Sequence, residues 1–266
     1  MKIGFIGCGN MGGAVATAVR KNVNGSNIYL ANRTFEKAEK LAKKLRANAT
    51  DNKTIAKGCD FIVLGVKPQM MEDMLNGIKD ELRSRQDRFV LVTMAAALSM
   101  DDIRRLAGGD YPVIRIMPNT PVSTGEGVIM YSYDYRVNED ELREFKNAVK
   151  AAGKLVELPE KLIDAGSAVA GCGPAFAELF IEALADGGVA CGLPRKQATE
   201  LAAQMLLGSA KLTLATGKTP GELKDQVCSP GGTTIQGVRV LEERGFRGAA
   251  MDAVIAAYDK TVSLKK

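Results

Sequence analysis

Histidine is absent from this 266-residue chain. The commonest general acid/base and metal ligand is therefore missing, and any proton must be managed by hydroxyls, carboxylates, water or the substrate itself. Two stretches combine residue types and spacings suited to binding anions. The first, Gly7-Cys8-Gly9-Asn10-Met11-Gly12, is a G-x-G-x-x-G. Gly7 permits the tight turn, Gly9 lets a pyrophosphate approach the backbone, and Gly12 lets a helix lie close on a strand. The free N–H groups and positive end of the following helix suit a diphosphate. The second stretch, Cys228-Ser229-Pro230-Gly231-Gly232-Thr233-Thr234, places unblocked N–H donors and two threonine hydroxyls at a helix start. That suits a small carboxylate, although a capped helix following a loop has the same pattern.

Periodicity shows which elements must hold these groups. Ile3, Phe5 and Ile6 form a buried strand, and the apolar spacing then lengthens to the helical face Met11, Val15, Ala18, Val19. Asn27–Ala31 is a second strand. An NAD site places Asp or Glu near its end, about 20 residues after the glycines. Here that end reads Asn32-Arg33-Thr34, a neutral amide and a cation that welcome a 2′-phosphate, so NADP is favoured over NAD. Thr34 is expected to cap a helix over Phe35–Leu45 with the face Ala38, Leu41, Ala42, Leu45. Thr50–Asp60 reads as a connector, and Phe61–Val66 as a central parallel strand stopped at Lys67-Pro68. Phe89–Thr93 is the next strand, followed by Met94-Ala95-Ala96-Ala97, small residues that let a flat ring approach or simply pack a helix. Ser99 caps a helix, Val113–Met117 is a strand, and Pro118-Asn119-Thr120-Pro121 is a stiff turn. Val128–Tyr131 and Leu155–Glu157 are further strands, flanking a helix Glu139–Ala152 capped by Asn138 and ended by Gly153.

After Leu158-Pro159 only helical periodicity remains. The expected fold is thus α/β, with a Rossmann-type dinucleotide-binding domain over 1–160 and an all-helical domain over 161–266. From Pro174 the positions Phe176, Leu179, Phe180, Ala183 and Leu184 mark a helix, in which Gly187-Gly188 either is a break or lets another helix approach. Gln197–Thr216 is a helix ended by Gly217, Thr219-Pro220-Gly221-Glu222 is a capping box, and a last helix spans Arg247–Val262. The helices Gln197–Thr216 and Arg247–Val262 are rich in Ala, Leu, Met and Val, more apolar face than so small a domain can bury alone, which points to a homodimer.

Composition narrows the function classes. The chain is 46% hydrophobic and 25% charged, a globular balance, and its formal charge of +5 mildly favours anionic ligands. Lys and Arg are spread along helices such as Glu36–Arg46, against a nucleic-acid surface. No continuous apolar run nears the roughly 20 residues of a membrane span. A strand begins at once, leaving no room for a signal or transit peptide. Five cysteines without a C-x-x-C argue for a reducing, cytoplasmic setting and against disulfides or structural zinc. The expected partners are a small molecule and a second copy of the chain, with no nucleic acid, membrane or metal.

Several motifs occur together: Ile6 to Gly12 (I-G-x-G-x-M-G), Asn32-Arg33-Thr34, Val66-Lys67-Pro68, Arg115-x-Met117-Pro118-Asn119-Thr120-Pro121, Gly173-Pro174-Ala175-Phe176, Ala185-Asp186-Gly187-Gly188-Val189, and Ser229-Pro230-Gly231-Gly232-Thr233-Thr234-Ile235. Jointly they resemble pyrroline-5-carboxylate reductases, NADPH- or NADH-dependent enzymes that make proline, over essentially the whole chain. Two positions depart from that family: Met94-Ala95-Ala96-Ala97-Leu98 stands where it usually reads S/C-x-A-A-G-I/V, and Cys172 where a serine is common.

The resemblance implies a Rossmann-type domain followed by a helical domain that dimerises, with dimers often assembling further. It implies hydride transfer from NADPH (or NADH) to the cyclic imine of 1-pyrroline-5-carboxylate, giving L-proline. For the cofactor it implies Ile6, Gly7, Cys8, Gly9, Asn10, Met11, Gly12, Asn32, Arg33, Thr34, Asn52, Val66, Lys67, Pro68, Met94, Ala95, Ala96 and Asn119, with the nicotinamide near Met94–Ala96 and Asn119. For the substrate it implies Val227, Ser229, Gly231, Gly232, Thr233 and Thr234, largely from a second subunit, with Thr234 as the catalytic hydroxyl that meets the ring nitrogen. The absence of histidine is compatible with this chemistry, because an iminium arrives already protonated. A β-hydroxyacid dehydrogenase would use a second-domain lysine, and 162–194 contains no Lys or Arg. Another imine reductase of this architecture, or a non-enzymatic NADP sensor, remains open from the residues alone; a sensor leaves the Ser229–Thr234 stretch unexplained.

Overall fold

A computed structural model describes residues 1–264. The chain divides into two compact units, Met1–Gly171 together with the residues from Tyr258 onward, and Cys172–Ala257.

The N-terminal unit is built on an eight-stranded sheet of order β3-β2-β1-β4-β5-β6-β7-β8. Its strands are β1 (Ile3–Ile6), β2 (Ile28–Ala31), β3 (Asn48–Ala49), β4 (Phe61–Leu64), β5 (Val90–Thr93), β6 (Val113–Pro118), β7 (Gly127–Tyr133) and β8 (Gly153–Glu157). All neighbouring pairs are parallel except β6–β7, where Ile116 faces Tyr131 in an antiparallel ladder. The central strands are apolar throughout because both faces are covered. Phe61, Val63, Val90 and Val92 join a core under the helices Asn10–Val19, Phe35–Leu45 and Glu139–Val149. Ile62, Leu64 and Leu91 point the other way, under Asn52–Gly58, Met71–Asn76 and Met100–Ala107. Alternation along each strand thus fills two cores from one sheet.

Several sequence expectations change here. Thr50–Asp60 is more than a connector: Asn52–Gly58 is a helix whose N-cap, Asp51, accepts from the Thr54 N–H at 2.7 Å. Its short length hid the helical period, while the Asp-x-x-Thr cap was the available signal. Thr34 precedes Phe35–Leu45 as expected but makes no capping hydrogen bond; instead the Asn32 amide donates to the Thr34 carbonyl at 3.0 Å. Gly153 ends the helical stretch as expected, after a last turn Lys150–Ala152, and also opens β8 at φ +130°, in backbone space that a side chain disfavours. The capping boxes at Ser99 and Asn138 are present with both reciprocal bonds.

The C-terminal unit is helical, with Gly173–Ala190, Arg195–Thr216, Pro220–Val227 and Thr233–Glu243. Gly188 does not break its helix. A Cβ there would lie 3.2 Å from the Cβ of Ala198, so its role is close approach of the following helix. One helical stretch, Glu160–Ala190, is long and apolar enough to cross a membrane by length and composition, with mean hydropathy 1.4. The expectation of no such segment is corrected: Ala and Gly interleave its Leu, Ile and Phe, so it does not read as one continuous apolar run.

Candidate active site

The carboxyl ends of β1, β2 and β4 converge where the order of connection reverses, the usual position of a ligand in an open α/β sheet. The Gly7 N–H donates to Ala31 O at 2.9 Å and the Gly65 N–H to Ile6 O at 2.8 Å, fixing three turns side by side. Gly7 has φ +101°, and a Cβ there would lie 2.7 Å from the Gly65 carbonyl carbon. A Cβ on Gly12 would collide with the Gly7 carbonyl oxygen, whereas one on Gly9 would meet nothing within 4 Å. The first and third glycines of the motif therefore serve packing, and the second faces open space.

That space is a cavity of about 520 Å³. Of the residues expected at the cofactor, Ile6, Gly7, Gly9, Asn32, Arg33, Thr34, Asn52, Val66 and Lys67 line it. Gly65, Lys37, Met70, Asp73 and Met74 line it too and were missed. Lys37 could have been found from spacing: it lies four residues beyond Arg33, in the first turn of Phe35–Leu45. Arg33, Lys37 and Lys67 make no ion pair among the described residues, so three cations face one carboxylate, Asp73, across this cavity. A phosphorylated ligand fits that balance, and the open face of Gly9 leaves its backbone accessible to a pyrophosphate. A second cavity, of about 410 Å³, shares Asn32, Arg33, Asn52, Asp73 and Met74 with the first, and Phe35, Thr50, Asp51 and Lys53 are among the residues it adds.

Other expected contacts are placed differently. Cys8 is buried, its thiol 3.8 Å from Phe5 O, and burial pushes that thiol up to about 12. Its side chain is a core group, leaving only backbone to a ligand. Asn10, Met11 and Gly12 form the first turn of Asn10–Val19, and Pro68 opens the short turn Pro68–Met70; none lines the cavity. Met94, Ala95 and Ala96 follow β5, with Ala95 buried and its N–H donating to Thr93 Oγ1 at 3.3 Å. Asn119 is buried and committed at both ends of its amide, Oδ1 accepting from the Val128 N–H at 2.9 Å and Nδ2 donating to Ala170 O at 3.0 Å. Its side chain is thus a structural tie between the end of β6 and Ala170, with one acceptor site and one donor hydrogen of the amide still available to a ligand.

In the C-terminal unit the Cys228–Thr234 stretch turns sharply onto the helix Thr233–Glu243. Gly231 has φ +70°, and the Gly232 N–H donates to Ser229 O at 3.0 Å. A Cβ on Gly232 would crowd Ser229 Oγ, so a side chain there would make the Ser229 hydroxyl swing away. No side chain caps the helix, and Val227, Ser229, Gly231, Thr233 and Thr234 are exposed while Gly232 is half-buried. The stretch therefore offers uncapped N–H donors and free hydroxyls, as a carboxylate site requires.

Comparison with known proteins identifies the family. A family model described as pyrroline-5-carboxylate reductase dimerisation matches residues 160–264, and one described as NADP oxidoreductase coenzyme F420-dependent matches residues 2–96. Pyrroline-5-carboxylate reductase of Escherichia coli K12 is 38% identical over 268 residues, covering 100% of this chain and 98% of that protein. The enzyme of that name from Methanosarcina acetivorans is 38% identical over 277 residues, with the same two coverages of 100% and 98%. Among solved structures, Plasmodium falciparum pyrroline carboxylate reductase with NADP bound matches at TM-score 0.89 and 32% identity, covering 100% of this chain and 98% of that one. Likeness at this level along the full length leaves one assignment: the chain belongs to the pyrroline-5-carboxylate reductase family.

Proposed function

We propose that this chain reduces the cyclic imine of 1-pyrroline-5-carboxylate to L-proline, with NADPH as the preferred cofactor and NADH a weaker one. The observation that carries the reading is the pairing of an open, cation-lined dinucleotide cavity with an uncapped Ser-Pro-Gly-Gly-Thr-Thr helix start in one histidine-free chain. NADPH supplies the hydride. The protein's part is orientation. Gly9 and the N-terminus of Asn10–Val19 hold the pyrophosphate, and Arg33 with Lys37 holds the 2′-phosphate. Met94–Ala96 gives the nicotinamide a small-residue wall. Backbone N–H groups at Gly232–Thr234 hold the substrate carboxylate, and the Thr234 hydroxyl orients the ring nitrogen. Positioning two rings in this way supplies roughly 7–11 kcal/mol of the barrier reduction without a strong protein acid.

Residues 1–160 act as the cofactor domain and 161–266 as the dimerisation and substrate domain, and each site combines the cofactor domain of one copy with the helical domain of another. The exposed apolar residues of the C-terminal unit support that assembly. On this reading a second copy is also the cover for Glu160–Ala190. All five cysteines are free, which supports a reducing, cytoplasmic compartment.

Loss of NADPH absorbance on adding 1-pyrroline-5-carboxylate tests the activity; tight NADPH binding without turnover would favour a sensor. Thr234→Ala should leave NADPH affinity nearly unchanged and lower turnover by about one to two powers of ten, roughly 1.4–2.7 kcal/mol for one functional hydrogen bond. Unchanged turnover in the folded variant would remove Thr234 from the site.

A further inference from the structure

β6 presents Arg115 and Met117 on one face, Asn119 follows just past its end, and all three engage the segment Glu160–Gly171 of the same unit. Arg115 is 1% exposed, and its Nη2 donates to Oδ1 of Asp164, itself 2% exposed, at 2.7 Å. Arg115 Nη1 lies 3.5 Å from Glu160 Oε1. Met117 packs in a small cluster with Ile163, Met130, Ala170 and Ala96. Asn119 donates to the carbonyl of Ala170, inside the π-turn Ser167–Gly171, whose wider winding leaves carbonyls in need of donors.

The same cluster grips the loop after β5 at both ends. Ala96 packs into it, and Glu160 Oε1 accepts from the Met100 N–H at 2.7 Å, at the start of the helix Met100–Ala107. Between these two anchors lies Ala97, at φ +63°, a left-handed backbone that an alanine holds only where its surroundings dictate it. Arg115 Nε is buried without a partner. A buried ion pair repays its desolvation poorly, and an orphaned donor adds to the cost. What the pair contributes is direction: a planar guanidinium fixes both carboxylates at once.

We propose that Arg115, Asp164 and Glu160 form a buried positioning brace. It sets the loop Met94–Leu98 against the carboxyl end of the sheet, and so governs hydride transfer rather than cofactor affinity. The proposal rests on the placement of the nicotinamide at Met94–Ala96 given above. The brace touches neither substrate nor cofactor; it acts through the loop.

Glu160 is only part-buried, so Glu160→Ala should fold while cutting the link to Met100. Its kcat should fall about tenfold, with the NADPH dissociation constant, read by fluorescence on the protein without substrate, changed less than about threefold. The primary deuterium isotope effect on kcat should rise, because hydride transfer becomes slower than product release. Glu160→Gln keeps the acceptor for Met100 and should restore most of the rate. In the double variant Arg115→Met with Asp164→Leu, an apolar pair replaces the charges without stranding either; it should stay folded and show the same kinetic pattern. Glu160→Ala with kcat and isotope effect unchanged would overturn the brace. So would parallel loss of rate and NADPH affinity, which a merely structural role produces. No turnover by the unsubstituted protein would overturn the functional reading and the brace with it. It is told apart from failure of the brace alone, in which the unsubstituted protein turns over and Glu160→Ala keeps pace.

Discussion

The N-terminal unit closes on itself, filling two cores on opposite faces of its sheet with Ile, Val, Leu and Phe that are almost wholly inaccessible. The unit Cys172–Ala257 is different. Among its described residues only three alanines, Ala185, Ala198 and Ala202, are buried, where Gly173–Ala190 meets Arg195–Thr216. Leu179, Leu201, Met205, Leu212, Leu214 and Met251 are exposed in the single chain. Three alanines cannot offset the conformational entropy of ordering such a unit. The first unit thus has filled cores and an open, cation-lined cavity, whereas the second, matched by a dimerisation family model, leaves its apolar side chains exposed in the single chain.

The largest effect should come from breaking the second unit's dependence. Leu201→Lys with Leu207→Lys puts two charges into an apolar concavity and should abolish assembly and activity together in sedimentation and turnover assays. Tyr135→Lys, at a still more exposed residue of the N-terminal unit, should change neither. Equal effects would dissolve the contrast between the units.

The next prediction probes the preformed pocket. Gly12→Ala drives a methyl into the Gly7 carbonyl and should cost about 1–3 kcal/mol of stability along with NADPH binding. Gly9→Ala meets no protein atom, so its melting temperature should hold while NADPH affinity falls. Loss of stability in both variants would make the motif structural only.

Arg33→Asp and Lys37→Glu should each raise the Michaelis constant for NADPH far more than for NADH, because charge-assisted contacts to the 2′-phosphate turn into repulsion. Equal shifts for both cofactors would refute the assignment. The smallest effect belongs to Ala97→Gly. It relieves a left-handed alanine but loosens the unfolded chain, so the gain in stability should lie between zero and about 1 kcal/mol by thermal melting. A clear loss would mean that the Ala97 methyl packs more than it strains.

Much of this was legible before the structure. The strand–turn–helix at Ile3–Val19 reads directly, because glycine spacing and a change of apolar period carry local information. The capping boxes at Ser99, Asn138 and Thr219 are equally local. Short elements such as Asn52–Gly58 gave no period to read. Lys37 entered the pocket through helix geometry, and Asn119 ties Val128 to Ala170 through its amide. Long-range pairing of that kind, like Arg115 with Asp164, depends on the sheet order and has no signature in residue spacing.

Subunit complementation tests the central claim, a preformed cofactor pocket completed by another copy. Gly12→Val disables the cofactor side and Gly232→Val the substrate side, each leaving a nearly inactive protein. If each site draws on two copies, unfolding and refolding the two variants together in equal amounts makes half the dimers mixed, each with one intact site of two. Activity should then return to about one quarter of the unsubstituted level. Activity no higher than that of the separate variants, with mixed dimers demonstrated by mass, would place the whole site within one chain and contradict the account.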